Sequence, residues 1–450
     1  MTTDIDGFPH DQLRWLIGIE DTCVYPSPGS VMGPLNEFEL TAHDEHWRDD
    51  LDAAAALGAT GLRYGVSWPL VHPAPGSFDW SALDERIDYA VRELGLTVIA
   101  DLVHYGTPTW LPGSFVDPGF PRALEEFSAA FAERYRGVVD HVTPLNEPLT
   151  TASFCGLRGV WPPALTGWTG WTAVVLGIAR GVQRSAAAIR RVNPDAVIVH
   201  VEASTIYETA DDGLADEVEL LRALATLPTD LILGLVDEGH PQRGWLIEHG
   251  APAEWLAELR DGAAGVDLMG VNYYPDLTPR ILEDAGGIVR QVTVNRWSDG
   301  LDAVLRSWEE RYALPMLVTE TSIEGTHQVR RDWLEAATAT VRALHAEGMD
   351  IRGLTWWPLL DFVDWSFASG GRNVEEFVLD PDVSRDATAE TFADTGQGLT
   401  PFLRRMGLFE LTEEHDGGMT RTPTVAAAAF PRDAGTLSTP APSRRKAAAR

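Results

Sequence analysis

Two glutamates stand out by their surroundings. Glu147 follows Thr143-Pro144-Leu145-Asn146 and precedes Pro148, and Glu320 closes Leu314-Pro315-Met316-Leu317-Val318-Thr319. Both cap short apolar runs of strand character, far apart in the chain. A pair of carboxyls suits cleavage of a glycosidic bond. One acid protonates a poor alkoxide leaving group, while a second carboxylate attacks or shields an oxocarbenium-like anomeric carbon. Other polar residues also follow apolar runs: Glu20, Arg63, His104, Asn146, Glu202, Asn272, Tyr274, Asp361, Asp364, and the indoles of Trp357 and Trp365. Carboxylates, amides, imidazole and aromatic rings are the set that carbohydrate chemistry asks for. The residues show no cysteine- or histidine-rich spacing of a metal site.

Positioning such residues on one rim requires elements that all end on the same side. Eight β-branched runs serve as strand candidates, at 15–19, 61–66, 97–103, 141–145, 196–201, 268–272, 316–319 and 353–357. Amphipathic stretches at 47–57, 81–94, 122–136 and 171–192 lie between them, and several end in Leu-Gly or Glu-Gly stop signals. Alternating β and α units with no Gly-x-Gly-x-x-Gly turn after the first strand predict an α/β (β/α)₈ TIM barrel rather than a doubly wound sheet. Catalytic side chains then come from the C-terminal ends of the strands. Residues 1–430 read as a single barrel domain. A long acidic loop insertion at about 369–403 is expected to wall the substrate entrance, and 431–450 reads as a disordered C-terminal tail.

The charge balance excludes other classes. The formal net charge of −32 disfavours a nucleic-acid binder, an anionic membrane surface and a polyphosphate substrate. Only two cysteines, Cys23 and Cys155, rule out a disulfide scaffold, and neither has evident partners for a nucleophilic triad. No run is apolar enough for a membrane span, and the start lacks a basic signal region. A cytoplasmic location is the default expectation. The sequence leaves the oligomeric state open. His43-x-x-His46 lacks the zincin pattern and reads as a solvated face ahead of the first helix. Tyr273 reads as core and Asp361 as structural.

The sequence resembles family 1 glycoside hydrolases, the β-glucosidase-like group. Asn146-Glu147-Pro148 and Thr319-Glu320 look like its two catalytic signatures. Leu62-Arg63-Tyr64 resembles its strand-two arginine segment, and His104-Tyr105-Gly106-Thr107-Pro108 its His-Trp-x-x-Pro stretch. Gly270-Val271-Asn272-Tyr273-Tyr274 matches its Gly-x-Asn-Tyr-Tyr. Trp357-Pro358-Leu359-Leu360-Asp361-Phe362-Val363-Asp364-Trp365 is similar to its Trp-rich strand-eight segment. With Arg405-Met406-Gly407-Leu408 and Arg421-Thr422-Pro423, the likeness runs in order over roughly residues 14–430.

The resemblance implies a retaining exo-β-glycosidase with Glu320 as nucleophile and Glu147 as acid/base. Arg63, Asn146 and Tyr274 would support them. Glu20, His104, Asn272, Trp357, Asp364 and Trp365 would bind sugar or aglycone. Asn146 would hold the 2-hydroxyl and Trp357 would form the aglycone platform. Glu320's charge would raise the Glu147 pKa, while Arg63 would keep Glu320 ionised. No cofactor or metal is implied, and the partner is a carbohydrate or glycoside. The sugar-contacting shell departs from the pattern. The usual Gln after strand one is missing beside Glu20, Asp364 replaces a Glu, Tyr105 a Trp and Thr321 an Asn. These changes point to a sugar other than plain glucose, such as a deoxysugar. A transglycosidase on the same scaffold is the alternative, and a non-catalytic sugar-binding barrel is the reading from another class.

Overall fold

The structure, a computed structural model, describes residues 5–26, 32–369, 377–378, 398–414 and 418–431. Eight parallel strands close into a barrel: β1 Arg14–Gly18, β2 Gly61–Gly65, β3 Thr97–Asp101, β4 His141–Thr143, β5 Val197–Ala203, β6 Leu268–Asn272, β7 Met316–Thr321 and β8 Ile351–Trp356. Each strand pairs with its sequence neighbours, and β8 returns to β1 through Arg14↔Gly353 to Ile17↔Trp356. All eight predicted strands are present, with ends shifted by a few residues. The chain is a (β/α)₈ barrel.

The outer ring follows the apolar stripes of the intervening segments. It comprises α1 His43–Leu57, α2 Ser81–Asp88, α3 Phe120–Tyr135, α4 Gly167–Val192, α5 Ala215–Ile232, α6 Trp297–Tyr312, α7 His327–Glu347 and the short α8 Val425–Ala428. Gly58 and Gly348 end α1 and α7 with positive φ, which glycine adopts without a Cβ clash. The expected solvated face at His43 is not found. His43 lies inside α1, fully buried, with its ring nitrogens 2.8 Å from Asp50 and 2.8 Å from Tyr64. That pair of bonds satisfies the ring in the core.

Inside the barrel, Leu16, Ile99, Val197, Val199, Val201, Leu268 and Leu317 form one packed layer set, sealed at the strand starts by Ile5 and Phe8. Gly270 has a physical reason for its place in the Gly-Val-Asn-Tyr-Tyr motif. A Cβ there would stand 2.7 Å from the Thr319 side chain and 2.8 Å from Val201. The filled interior makes the lower barrel a plug, and the opening lies at the strand ends.

A second small sheet stands beside that opening. Ile206–Thr209 pairs with Pro279–Asp284, which pairs with Val289–Thr293, which pairs with Phe377–Val378. Most of the predicted insertion at 369–403 lies outside the described residues, as does the tail beyond residue 431. No helix among the described residues is long and apolar enough to cross a membrane. Both cysteines are buried, and burial pushes the Cys155 thiol well above its ordinary range.

Candidate active site

The strand ends converge on a cavity of about 230 Å³. Glu20, His104, Glu147, Asn272, Tyr274, Glu320, Trp357, Asp364 and Trp365 all line it. The two glutamates therefore share one chamber despite their separation in sequence.

Glu320 reaches the chamber through an irregularity in β7. Strict alternation would place Leu317 and Thr319 inside and turn Glu320 outward. The register against β6 shifts between Val318 and Glu320, and that against β8 between Val318 and Thr321. The slip re-aims the carboxyl toward the barrel mouth, a usual service of β-bulges. There its Oε1 accepts from Arg63 Nη1, and its Oε2 accepts from Tyr274 Oη at 2.7 Å.

Glu147 gets its direction differently. Its backbone takes φ +44°, left-handed for a non-glycine residue, where β4 breaks into the short helix Pro148–Ala152. Such a conformation costs of order 1–3 kcal/mol and persists only when its surroundings hold it. They do so here: Glu147 N–H donates to Val201 O at 3.1 Å, and the Glu202 carboxyl accepts Leu149 N–H at 3.0 Å. Burial pushes Glu202 well above the carboxylate range. The Glu147 side chain accepts from Asn272 Nδ2 at 2.7 Å and from Tyr105 Oη at 2.8 Å. Asn272 is oriented in turn by Thr319 Oγ1, which donates to its Oδ1 at 2.6 Å.

Arg63 and His104 supply the positive charge. Arg63, fully buried, donates to Asp101, to Glu320 and, at 2.7 Å, to Asn146 Oδ1. Burial opposes its charge, but Asp101 and Glu320 more than restore it. His104 Nδ1 lies 2.8 Å from Asp21 and 3.1 Å from Asp101. Burial disfavours the imidazolium, yet the two aspartates hold its pKa well above the usual range. Asp21 itself is pushed up to about 6, by burial against the pull of His104.

Three expected details change. Arg63 pulls Glu320 down but does not prevail: burial, with the charge of Glu147 added, lifts Glu320 to about 7. Asn146 does not line the cavity. Its Oδ1 is taken by Arg63, and its Nδ2 donates to Tyr105 Oη at 2.9 Å with His104 Nε2 at 3.3 Å. Its amide thus links Arg63 to Tyr105 and His104. Trp357 is no platform at the mouth. It is 2% exposed, stacks on His104 at 5.5 Å, covers the Arg63 guanidinium and donates to Glu20 Oε2 at 2.9 Å, all at the inner end.

The chain matches glycosyl hydrolase family 1 over residues 39–274. It belongs to that family. The hydrolase is 24% identical to β-glucosidase A of Thermotoga maritima over 374 residues, covering 76% of this chain and 82% of the relative. It is 26% identical to thermostable β-glucosidase B of Thermobispora bispora over 389 residues, covering 77% and 78%. A β-galactosidase of Saccharolobus solfataricus is 23% identical over 385 residues, covering 70% and 75%. The solved β-glucosidase from Thermotoga maritima in complex with azafagomine shares the fold, with a TM-score of 0.72 over 94% of this chain and 97% of that one, at 18% identity. This family 1 enzyme is a glycosidase that hydrolyses O-glycosyl bonds.

The sequence did not single out Asp101 as part of the site of this family 1 hydrolase. Tyr105 stands at a departure from the family pattern, yet its phenol bridges Glu147 and Asn146. Asp101 ends β3 facing the Arg63 guanidinium, and alternation from Ile99 could have found it. Asp361 is structural, as expected: it accepts from Arg330, Arg405 and Gly407 N–H. Tyr273 is buried, donating to Trp297 O. Glu20, Asp21 and His104 bring one donor atom each within 4.8 Å of one another, but His104 already closes on Asp21.

Proposed function

We propose that this enzyme is a retaining exo-β-glycosidase working by double displacement, with Glu320 as nucleophile and Glu147 as acid/base. The observation that carries the assignment is an asymmetry of partners. Glu320 is hydrogen-bonded to a guanidinium and a phenol, whereas Glu147 is held by an amide and a phenol with no cation in contact. The cationic contact favours the anion on Glu320, the form that attacks carbon. Glu147 can carry the proton without leaving a buried cation unpaired.

The reactive form has the proton on Glu147 and the charge on Glu320. In the first step Glu320 attacks the anomeric carbon while Glu147 protonates the departing oxygen. In the second, Glu147 takes a proton from water as the water displaces Glu320, and the second inversion restores the β configuration. Tyr105 and Tyr274 are kept as neutral phenols, burial and the adjacent carboxylates raising both well above their usual range. They therefore remain donors throughout. Trp365 lines the cavity with its Nε1 buried and unpartnered, a donor open to a sugar hydroxyl. The stacked Trp357 and His104 close the inner end, which supports removal of a terminal residue rather than internal cleavage.

The test is the anomer first released from an aryl β-glycoside, followed by proton NMR. The β-anomer is expected before mutarotation, and initial α-product overturns the retaining assignment. Product analysis with a competing acceptor alcohol separates hydrolysis from transglycosylation.

A further inference from the structure

We propose that the glycone this enzyme prefers carries a basic amino group, recognised by Glu20 together with Asp364. This deepens the proposed function and rests on it. Glu20 and Asp364 line the same cavity as the catalytic pair. Glu20 is 4% exposed. Its Oε2 accepts from Trp357 Nε1 at 2.9 Å, and its Oε1 accepts from Thr22 N–H at 3.2 Å and from the Thr22 hydroxyl. No arginine, lysine or histidine pairs with it among the described residues.

The positive charges of Arg63 and His104 are already committed. Arg63 is held by Asp101 and Glu320, and His104 by Asp21 and Asp101. Arg404 pairs with Glu324 at 2.9 Å and stands 3.8 Å from Asp364. A further carboxyl is buried nearby. Glu37 is fully buried, with Oε2 accepting from Val363 N–H at 3.1 Å and Oε1 without any partner. Burial and the charge of Glu20 raise it well above the carboxylate range.

Glu20 thus stands in the cavity as a buried carboxyl with no cationic side chain paired to it among the described residues. A buried carboxylate without a counter-ion is costly, and a cation entering the same dry space relieves that cost. A sugar hydroxyl offers Glu20 one proton to accept, while an ammonium offers up to three with a charge. The formal net charge of −32 also favours approach of a cation.

The experiment compares 4-nitrophenyl β-D-glucoside with its 3-amino-3-deoxy, 4-amino-4-deoxy and 6-amino-6-deoxy counterparts near neutral pH. At least one amino sugar is expected to exceed the parent in kcat/KM by about tenfold, the scale of one charge-assisted contact. Glu20→Gln, which keeps the shape but removes the charge, is expected to erase that ratio. Calorimetry of the wild-type chain with the matching methyl β-glycosides reads recognition apart from catalysis and does not depend on any variant folding. Tighter binding of an amino glycoside supports the inference. Equal or weaker binding of all three overturns it, and leaves hydrolysis standing if the neutral glucoside is turned over. Selective amino-glycoside binding without turnover of any substrate would instead defeat the hydrolytic reading alone.

Discussion

The phenol of Tyr105 donates to Oε2 of Glu147 at 2.8 Å. The same phenol accepts from Asn146 Nδ2, and Asn146 Oδ1 accepts from Arg63, which donates to Glu320. One chain of hydrogen bonds therefore runs from one glutamate to the other. Any group removed from it is felt at both.

Removing the Tyr105 hydroxyl should weaken this coupling without emptying the cavity. Tyr105→Phe is expected to lower kcat by about 10–100-fold, the worth of one hydrogen bond to a charged group, with a smaller change in KM. An unchanged kcat would show that Tyr105 only fills space.

Glu320→Ala is expected to abolish turnover of every glycoside, because no covalent intermediate can form. Added azide should restore activity and give the glycosyl azide of opposite anomeric configuration. Substantial residual activity without azide would mean the nucleophile lies elsewhere.

Glu147→Ala should discriminate among leaving groups. Substrates with poor leaving groups are expected to lose about 10²–10⁴-fold, the usual range for acid catalysis, while activated aryl glycosides lose far less in the first step. Equal losses across a series of phenol leaving groups would remove the acid role.

The position of Glu320 near 7 makes two pH predictions of opposite sign. Activity needs the anion, so kcat/KM should fall as pH drops through about 7. Stability behaves the other way. The folded state binds this proton more tightly than the unfolded chain does. The contribution is therefore fully present below the ordinary value of 4.5 and is lost as pH rises through about 7. Thermal unfolding of wild type against Glu320→Gln at pH 5 and pH 8 checks this. The wild type should lose stability relative to the variant on going to pH 8, and a constant difference would contradict it.

The amino-acid sequence by itself determined the barrel and the membership of its rim. Strand and helix periods are local properties, and eight β-branched runs ending in polar residues place those residues at one end once the sheet closes. That is why Glu147, Glu320, Asn272, Tyr274 and Trp365 could be named from their runs and motifs. Only the tertiary structure decided how these groups share protons and charge. Whether Arg63 or burial governs Glu320 depends on desolvation, which has no sequence signature. Asn146 is engaged by Tyr105 and Arg63, and Trp357 packs against His104 and Arg63. Those outcomes arise from volumes and dielectric shared among residues of five different strand ends, and no local pattern in the chain encodes them.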